Sequence, residues 1–287
     1  MAAEQSPTVR RRRLGHELRE LREQSGLTLD EAAAQLEDIS AAKISRIETA
    51  KVGVRPRDVE ALLDVYGLED PQRRENLVTL TRESRQRGWW AQFGDAMPPK
   101  FDLAIGLEAE AVSIRMFSPH FVGGLFQTEP YARALLKANW TSESAEQLER
   151  RVELRMERQR ILRERDRLEI RAVLDETVIS RPVGGHSILR DQLRRLIELA
   201  NLPNVSIRLL PLSAGAHAGG EGPFRIIELS QPDPSLVHLE YPDRAAYLEE
   251  EREVRLYADI FKRLEDVSMT SKQSIELITK LSGRKRE

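Results

Sequence analysis

Between Gly26 and Thr49 the chain reads GLTLDEAAAQLEDISAAKISRIET, and no other stretch limits the possible folds as strongly. It predicts two short helices joined by a tight turn. Thr28-Leu29-Asp30-Glu31 opens the first helix as a capping box. There the Thr28 hydroxyl accepts the N–H of Glu31, and the Glu31 carboxylate accepts the N–H of Thr28. Leu29, Ala32, Ala33 and Leu36 follow at helical spacing, and the alanines permit a close helix crossing. Ser40 is placed to cap the second helix. That helix turns Ile39, Ile44 and Ile47 inward and Ala41, Ala42, Lys43, Ser45, Arg46 and Thr49 outward. A helix with isoleucines on one side, and small residues with two cations on the other, is shaped to enter a groove. This is the geometry of a helix-turn-helix reading head.

The flanking sequence supplies the rest of a small helical domain. A helix is expected from Val9 to Gln24, with Leu14, Leu18 and Leu21 on one face and Ser25-Gly26 as its stop. Pro56 is a tolerated first-turn proline for a helix that buries Val59, Leu62, Leu63 and Tyr66 and ends at Gly67. Asp70-Pro71 begins a fifth helix lasting to about Gln86. The expectation is a compact all-α five-helix domain over residues 9–87, preceded by a loose tail, 1–8.

At 287 residues the chain has room for about two domains of ~100–200 residues each. Apolar residues make up 40%, enough for a globular core. There is no cysteine, which excludes disulfides and thiolate metal sites. No apolar run approaches a membrane span, and no apolar segment follows Arg10–Arg13 as a secretory signal requires. The expectation is a cytoplasmic protein that makes no membrane contact. The net charge of −2 does not point to nucleic acid. Residues 1–90 hold 16 Lys+Arg and 16 Asp+Glu, so any DNA-binding surface must segregate charge by face.

Residues 88–100, with Gly88, Trp89-Trp90 and Pro98-Pro99, read as a linker. The tryptophan pair suits either a base-stacking platform or an apolar staple between domains. Beyond it, 101–117 reads as a helix, 122–136 as a buried turn and a second helix with Thr128 as N-cap, and 143–166 as a long helix with Leu148, Val152 and Met156 inward. The period then changes to two. Leu168–Asp175, Val205–Pro211, Phe224–Leu229 and Leu236–Tyr241 predict strands, the last two as antiparallel neighbours. A helix from Ser187 to Ala200 lies between the first two. A helical region from Tyr247 to Leu281 precedes a basic tail, 283–287. The prediction is a larger α+β domain over 101–282, with a small, mainly antiparallel sheet and a C-terminal helical region.

No catalytic constellation emerges. His16, His120, His186, His217 and His238 do not share metal-ligand spacing. The glycine-rich loop Ser213–Pro223 lacks the Gly-Lys-Ser/Thr ending of a phosphate loop; it links strands and lies where it could border a ligand cleft. A Gly-x-Ser-x-Gly elbow is missing. Asp175-Glu176 are adjacent at a strand end and so face opposite ways, which suits a strand exit better than acid/base work. The chain is expected to be no enzyme and to need no cofactor or metal.

Two resemblances follow. GLTLDEAAAQL with KISRIETAKVGVRPRDVEALLDVYGL resembles the Xre (Cro/repressor-like) family of helix-turn-helix DNA-binding regulators over about residues 14–68. It departs from that family at Leu29, where a glutamine is usual. Its turn, Leu36-Glu37-Asp38-Ile39-Ser40, is longer than the family's, acidic and without glycine. GLEAEA, GLFQTEPYARALL, RMERQRIL, VLDE, LPNVSIRLLP and GAHAGGEGPF together resemble the C-terminal domain of WhiJ-type actinobacterial regulators, which are antitoxin-like. The resemblances imply double-stranded DNA as partner, and a small partner protein encoded by a neighbouring gene. A homodimer on a two-part DNA site and a small-molecule ligand of the C-terminal domain are further expectations.

The expected DNA contacts follow from the outward face. Arg46 is suited to a guanine edge or a phosphate; its competing role is a salt bridge to Glu48 or to an acid of the first helix. Lys43 shares its face. Ser40 and Ser45 can bond phosphates or bases, and Ala41 and Ala42 can pack on thymine methyls. Lys51, Arg55 and Arg57 follow as phosphate contacts. Arg11 and Arg12, within Arg10–Arg13, suit an arm along the backbone or in a minor groove, or a solvated helix start. The alternative to a DNA reader is a protein–protein adaptor, or an antitoxin-like protein, whose helix-turn-helix no longer reads DNA.

Overall fold

The computed structural model describes residues 7–85, 88–97, 101–139, 144–164, 168–230, 235–241 and 245–283. The expected tail 1–8 and basic tail 283–287 lie mostly outside the described residues. The chain divides into two compact units, 1–91 and 92–287, and the division falls within the stretch 88–100.

The first unit is helical: α1 (Pro7–Gln24), α2 (Leu29–Ala34), α3 (Ala41–Glu48), α4 (Pro56–Val65) and α5 (Pro71–Glu83). The termini follow local chemistry. The Thr28–Glu31 capping box is present on α2, Ser40 caps α3, and Asp70 caps α5 by accepting from the N–H groups of Gln72 and Arg73. Pro56 and Pro71 occupy first-turn positions. Gly26 and Gly67 adopt φ of 73° and 68°, the left-handed conformation that lets a chain leave a helix at little steric cost. One core gathers Leu14, Leu18 and Leu21 of α1, Ile44 and Ile47 of α3, and Val59, Leu62 and Leu63 of α4.

Gly15 decides how closely α1 and α3 approach. A Cβ there would stand 2.6 Å from the Glu48 carbonyl oxygen and 2.7 Å from that of Ile47. A glycine inside a helix weakens it by about 0.5–1 kcal/mol relative to alanine, and here it permits backbone-to-side contact.

The second unit is α+β. It comprises α6 (Phe101–Glu110), β1 (Ser113–Ser118), α7 (Glu129–Asn139), α8 (Ala145–Arg158), α9 (Ile161–Glu164), β2 (Glu169–Asp175), α10 (His186–Ala200), β3 (Val205–Leu210), β4 (Phe224–Glu228), β5 (Leu236–Glu240), β6 (Ala245–Leu248), α11 (Glu251–Val267) and α12 (Ser271–Ser282). The sheet order is β3-β2-β1-β4-β5-β6. β1–β2 and β2–β3 are parallel, with helices in the crossovers, as parallel neighbours require. β1–β4, β4–β5 and β5–β6 are antiparallel. The sheet is therefore mixed and has six strands, two more than the sequence pattern predicts.

Three expectations need correction. The stretch 101–117 is not one helix: α6 ends at Glu110, and 113–118 is a central strand. β1 is covered on both faces, so five of its six side chains are buried and no period-two alternation marks it. The region 247–281 is not wholly helical; it begins inside β6 and holds two separate helices. In the long helix, α8 stops at Arg158, and its buried side chains are Val152, Leu154 and Arg158, while Leu148 and Met156 are only partly covered.

An irregular segment between β1 and α7 is held by glutamines. Gln159 Nε2 donates to the carbonyls of Gly124 and Gln127 at 3.0 and 2.8 Å. Gln192 Nε2 donates to the Phe126 carbonyl at 2.8 Å, and its Oε1 accepts the Thr128 N–H at 2.7 Å. Side-chain amides thus satisfy backbone groups that no helix or strand would pair.

Candidate nucleic-acid interface

The structure brings α2 and α3 together as two short helices around a turn. Ile39, Ile44 and Ile47 are buried beneath them at 5%, 0% and 2% exposure, which fixes the rotation of α3. Leu29, where a glutamine was usual in the family resemblance, packs partly buried against the same core. The opposite side of α3 is open: Ser40, Ala42, Arg46 and Thr49 are exposed, and Ala41, Lys43 and Ser45 are half-buried.

The far end of α3 turns through Ala50, which has φ 56°. The Ala50 N–H donates to the Ile47 carbonyl at 2.9 Å, and the Lys51 N–H donates to the Arg46 carbonyl at 2.8 Å. This is the pair of bonds of a Schellman cap. It sets Lys51 immediately beyond α3, exposed, with Arg55 and Arg57 exposed a few residues later.

The expected contact residues divide into free and engaged groups. Arg46 donates from Nε to the Ala42 carbonyl of its own helix at 3.2 Å, and no carboxylate pairs with it among the described residues. The acid that could have neutralised it, Glu48, is held elsewhere. Arg22 of α1 donates from Nε to Glu48 Oε1 at 2.7 Å and from Nη2 to Oε2 at 2.9 Å. Arg22 also donates to the Leu27 carbonyl at 2.9 Å, closing the α1–α2 turn. The bond to Glu48 holds the Arg22 guanidinium above its ordinary pKa.

Lys43 is engaged. Its Nζ lies 2.9 Å from Oδ2 of Asp58 on α4, and Arg57 Nε lies 3.5 Å from Oδ1 of the same carboxylate. Ser40 acts as the cap, its Oγ accepting the Lys43 N–H at 3.3 Å. Thr49 turns its hydroxyl back onto the Ser45 carbonyl at 2.7 Å. Glu37 and Asp38 of the turn are exposed near the start of α3. Arg10 is buried and points to Glu83 of α5 at 3.4 Å, while Arg11 and Arg12 are half-buried on α1.

Four residues that organise this surface were not singled out from sequence: Gly15, Arg22, Glu48 as the partner of Arg22, and Asp58. Glu48 carried a signal. It lies four residues after Ile44 on the inward stripe, and an acid on an apolar stripe points to a buried partner. Among the described residues no group of three His, Asp or Glu side chains is placed to hold a metal ion, and no helix is long and apolar enough to cross a membrane.

Comparison with known proteins gives two matches. A model described as a helix-turn-helix domain matches residues 13–77. A model described as a domain of unknown function (DUF5753) matches residues 101–280. No curated protein and no solved structure matches the chain.

Proposed function

The chain belongs to the DUF5753 family and carries a helix-turn-helix domain ahead of that region, and on this premise we propose that it is a sequence-specific DNA-binding transcriptional regulator. The observation that carries the reading is Arg46, exposed on α3 opposite the buried Ile44 and Ile47 and without a carboxylate partner among the described residues. An arginine in that position on a helix seated in a major groove can fork onto guanine O6 and N7. Lys51, Arg55 and Arg57 would grip phosphates beside it. A single head of this kind makes few contacts, so the protein acts as a homodimer on two half-sites about one helical turn apart. In this reading the C-terminal domain serves dimerisation and receives a small partner protein or ligand, and the chain is a Cro/repressor-like regulator of the antitoxin-like WhiJ type. It works by binding rather than by catalysis.

The test is footprinting of the purified full chain on its own upstream DNA, followed by Arg46→Ala. Loss of a base contact costs ~1–3 kcal/mol on the true site and relaxes specificity at one position. An equal loss on every sequence would reassign Arg46 to phosphate. An unchanged footprint and affinity would sink the assignment.

The second reading is a protein–protein adaptor whose helix-turn-helix does not read DNA. Capture of Lys43 by Asp58 at 2.9 Å favours it, as do the exposed Glu37 and Asp38. The two readings separate on salt. A DNA reader loses affinity steeply as salt rises, because phosphate contacts release counterions, whereas an adaptor binds no promoter DNA even at low salt.

A further inference from the structure

The sheet of the second unit carries two polar side chains, Arg225 and His238, side by side on one face. Strand register places Met116 of β1, Arg225 of β4 and His238 of β5 side by side. Side chains at paired positions share one face of a sheet. Together with Arg155 and Arg158 of α8, these residues line a cavity of about 760 Å³. That volume is in the range of sites that enclose a small organic molecule, ~300–1,000 Å³. Much of the remaining wall is apolar, from Phe101, Leu135, Leu136, Leu154 and Phe224.

The charges at the base do not cancel. Glu108 of α6 is 1% exposed. It accepts from Arg158 Nε at 3.0 Å and Nη2 at 2.7 Å, and it also pairs with Arg225. Arg225 Nη2 reaches Glu240 at 3.0 Å, and Glu240 is largely open to solvent. Arg158 and Arg225 thus take up Glu108 and Glu240. Arg155 is not matched in this way. Its Nη1 donates to the neutral amide oxygen of Gln127 at 3.0 Å, and no carboxylate pairs with it among the described residues. Burial, with Arg158 adding to it, lowers the Arg155 pKa to about 10, so it stays charged at neutral pH.

A second observation is independent of the arginines. His238 is 1% exposed, and neither ring nitrogen has a hydrogen-bond partner among the described residues. A buried polar group without a partner costs free energy that a bound polar group would recover. Burial, with Arg225 and Arg158 beside it, keeps the imidazole neutral, offering one donor and one acceptor.

We infer that this cavity is a binding site for a small amphipathic organic anion, its acidic head on Arg155 beside His238 and its apolar body against the phenylalanine and leucine wall. The head is a carboxylate or a phosphate, since a guanidinium takes either in the same forked geometry. The inference stands on the second unit alone and holds whether or not α3 reads DNA.

Titration calorimetry of the full chain tests it with decanoate, decyl phosphate and uncharged 1-decanol. Saturable one-to-one binding is expected for decanoate or decyl phosphate, at least tenfold tighter than for 1-decanol, and the tighter of the two identifies the head group. Arg155→Gln is expected to weaken the anion at least tenfold while leaving 1-decanol unchanged, and Arg155→Lys to restore part of the loss. Arg155→Gln removes a cation that lacks a counter-ion, so the fold is expected to persist, with an unchanged circular dichroism melt as the check. Failure of both anions to bind, equal binding of anion and alcohol, or an Arg155→Gln protein that binds the anion normally would each overturn the inference.

Discussion

Arg22 on α1 holds both carboxylate oxygens of Glu48, the last residue of α3, at 2.7 and 2.9 Å, with side-chain exposures of 11% and 5%. The pair joins α1 to α3 and fixes which charges remain on the open side of α3. Removing one partner of such a pair leaves the other buried and uncompensated, at about 3–5 kcal/mol. Glu48→Ala is therefore expected to destabilise the first unit by about that amount in chemical denaturation. The double variant Arg22→Met/Glu48→Leu is expected to lose much less, since an apolar pair of similar size replaces the ions. Equal losses in the single and double variants would show that the ion pair does not hold α1 to α3.

Ala50 adopts φ 56° two residues past the end of α3. A residue with a Cβ is strained there by roughly 1–2 kcal/mol, and glycine is not. Glycine also loses more backbone freedom on folding, by roughly 0.5–1 kcal/mol. The net expectation for Ala50→Gly is a gain of about 0.5–1 kcal/mol, read as a higher midpoint in denaturant. A lower midpoint would mean that the turn relaxes in solution.

Asp58 is 8% exposed and is shared by Lys43 and Arg57. Asp58→Asn keeps the shape of the side chain and frees both cations. If α3 docks on DNA, affinity rises and the slope of log affinity against log salt steepens by about one per phosphate newly contacted. A slope equal to that of the unaltered protein would remove Lys43 from the contact surface.

His238 has its pKa lowered to about 2 by burial, with Arg225 and Arg158 adding to the effect. Its unfolded value is near 6.5, so below that pH the unfolded chain takes up a proton that the folded chain refuses. Stability therefore falls as pH drops through 6.5, by up to about 1.4 kcal/mol per pH unit for one such group. Between pH 6.5 and 5 the second unit is expected to lose about 2 kcal/mol, measured as unfolding free energy against pH. His238→Asn is expected to flatten that part of the profile. An equally steep fall in the variant would assign the proton uptake to another group.

The helical unit was legible in the sequence almost element by element. Thr28–Glu31, Ser40, Asp70 and the glycines at 26 and 67 act over at most a few residues, so the pattern that predicts each cap contains all of its partners. The inward stripe of Ile44 and Ile47 is likewise a property of helical period alone. In the second unit the same logic located β2 to β5. It missed β1, because a strand buried on both faces carries no alternation to read, and β6, whose four residues run into the stretch that reads as helical.

The sequence by itself determined where helices begin and end and which side of α3 is apolar, because those depend on neighbours within one or two turns. Only the tertiary structure decided which cations stay free. Lys43 meets Asp58 across 15 residues, Arg22 meets Glu48 across 26, Arg158 meets Glu108 across 50 and Arg225 meets Glu108 across 117. Charge has no periodicity, and its partner is set by which helices and strands pack together. Packing gives Glu48 to Arg22 rather than to Arg46, and Glu108 to Arg158 and Arg225 rather than to Arg155.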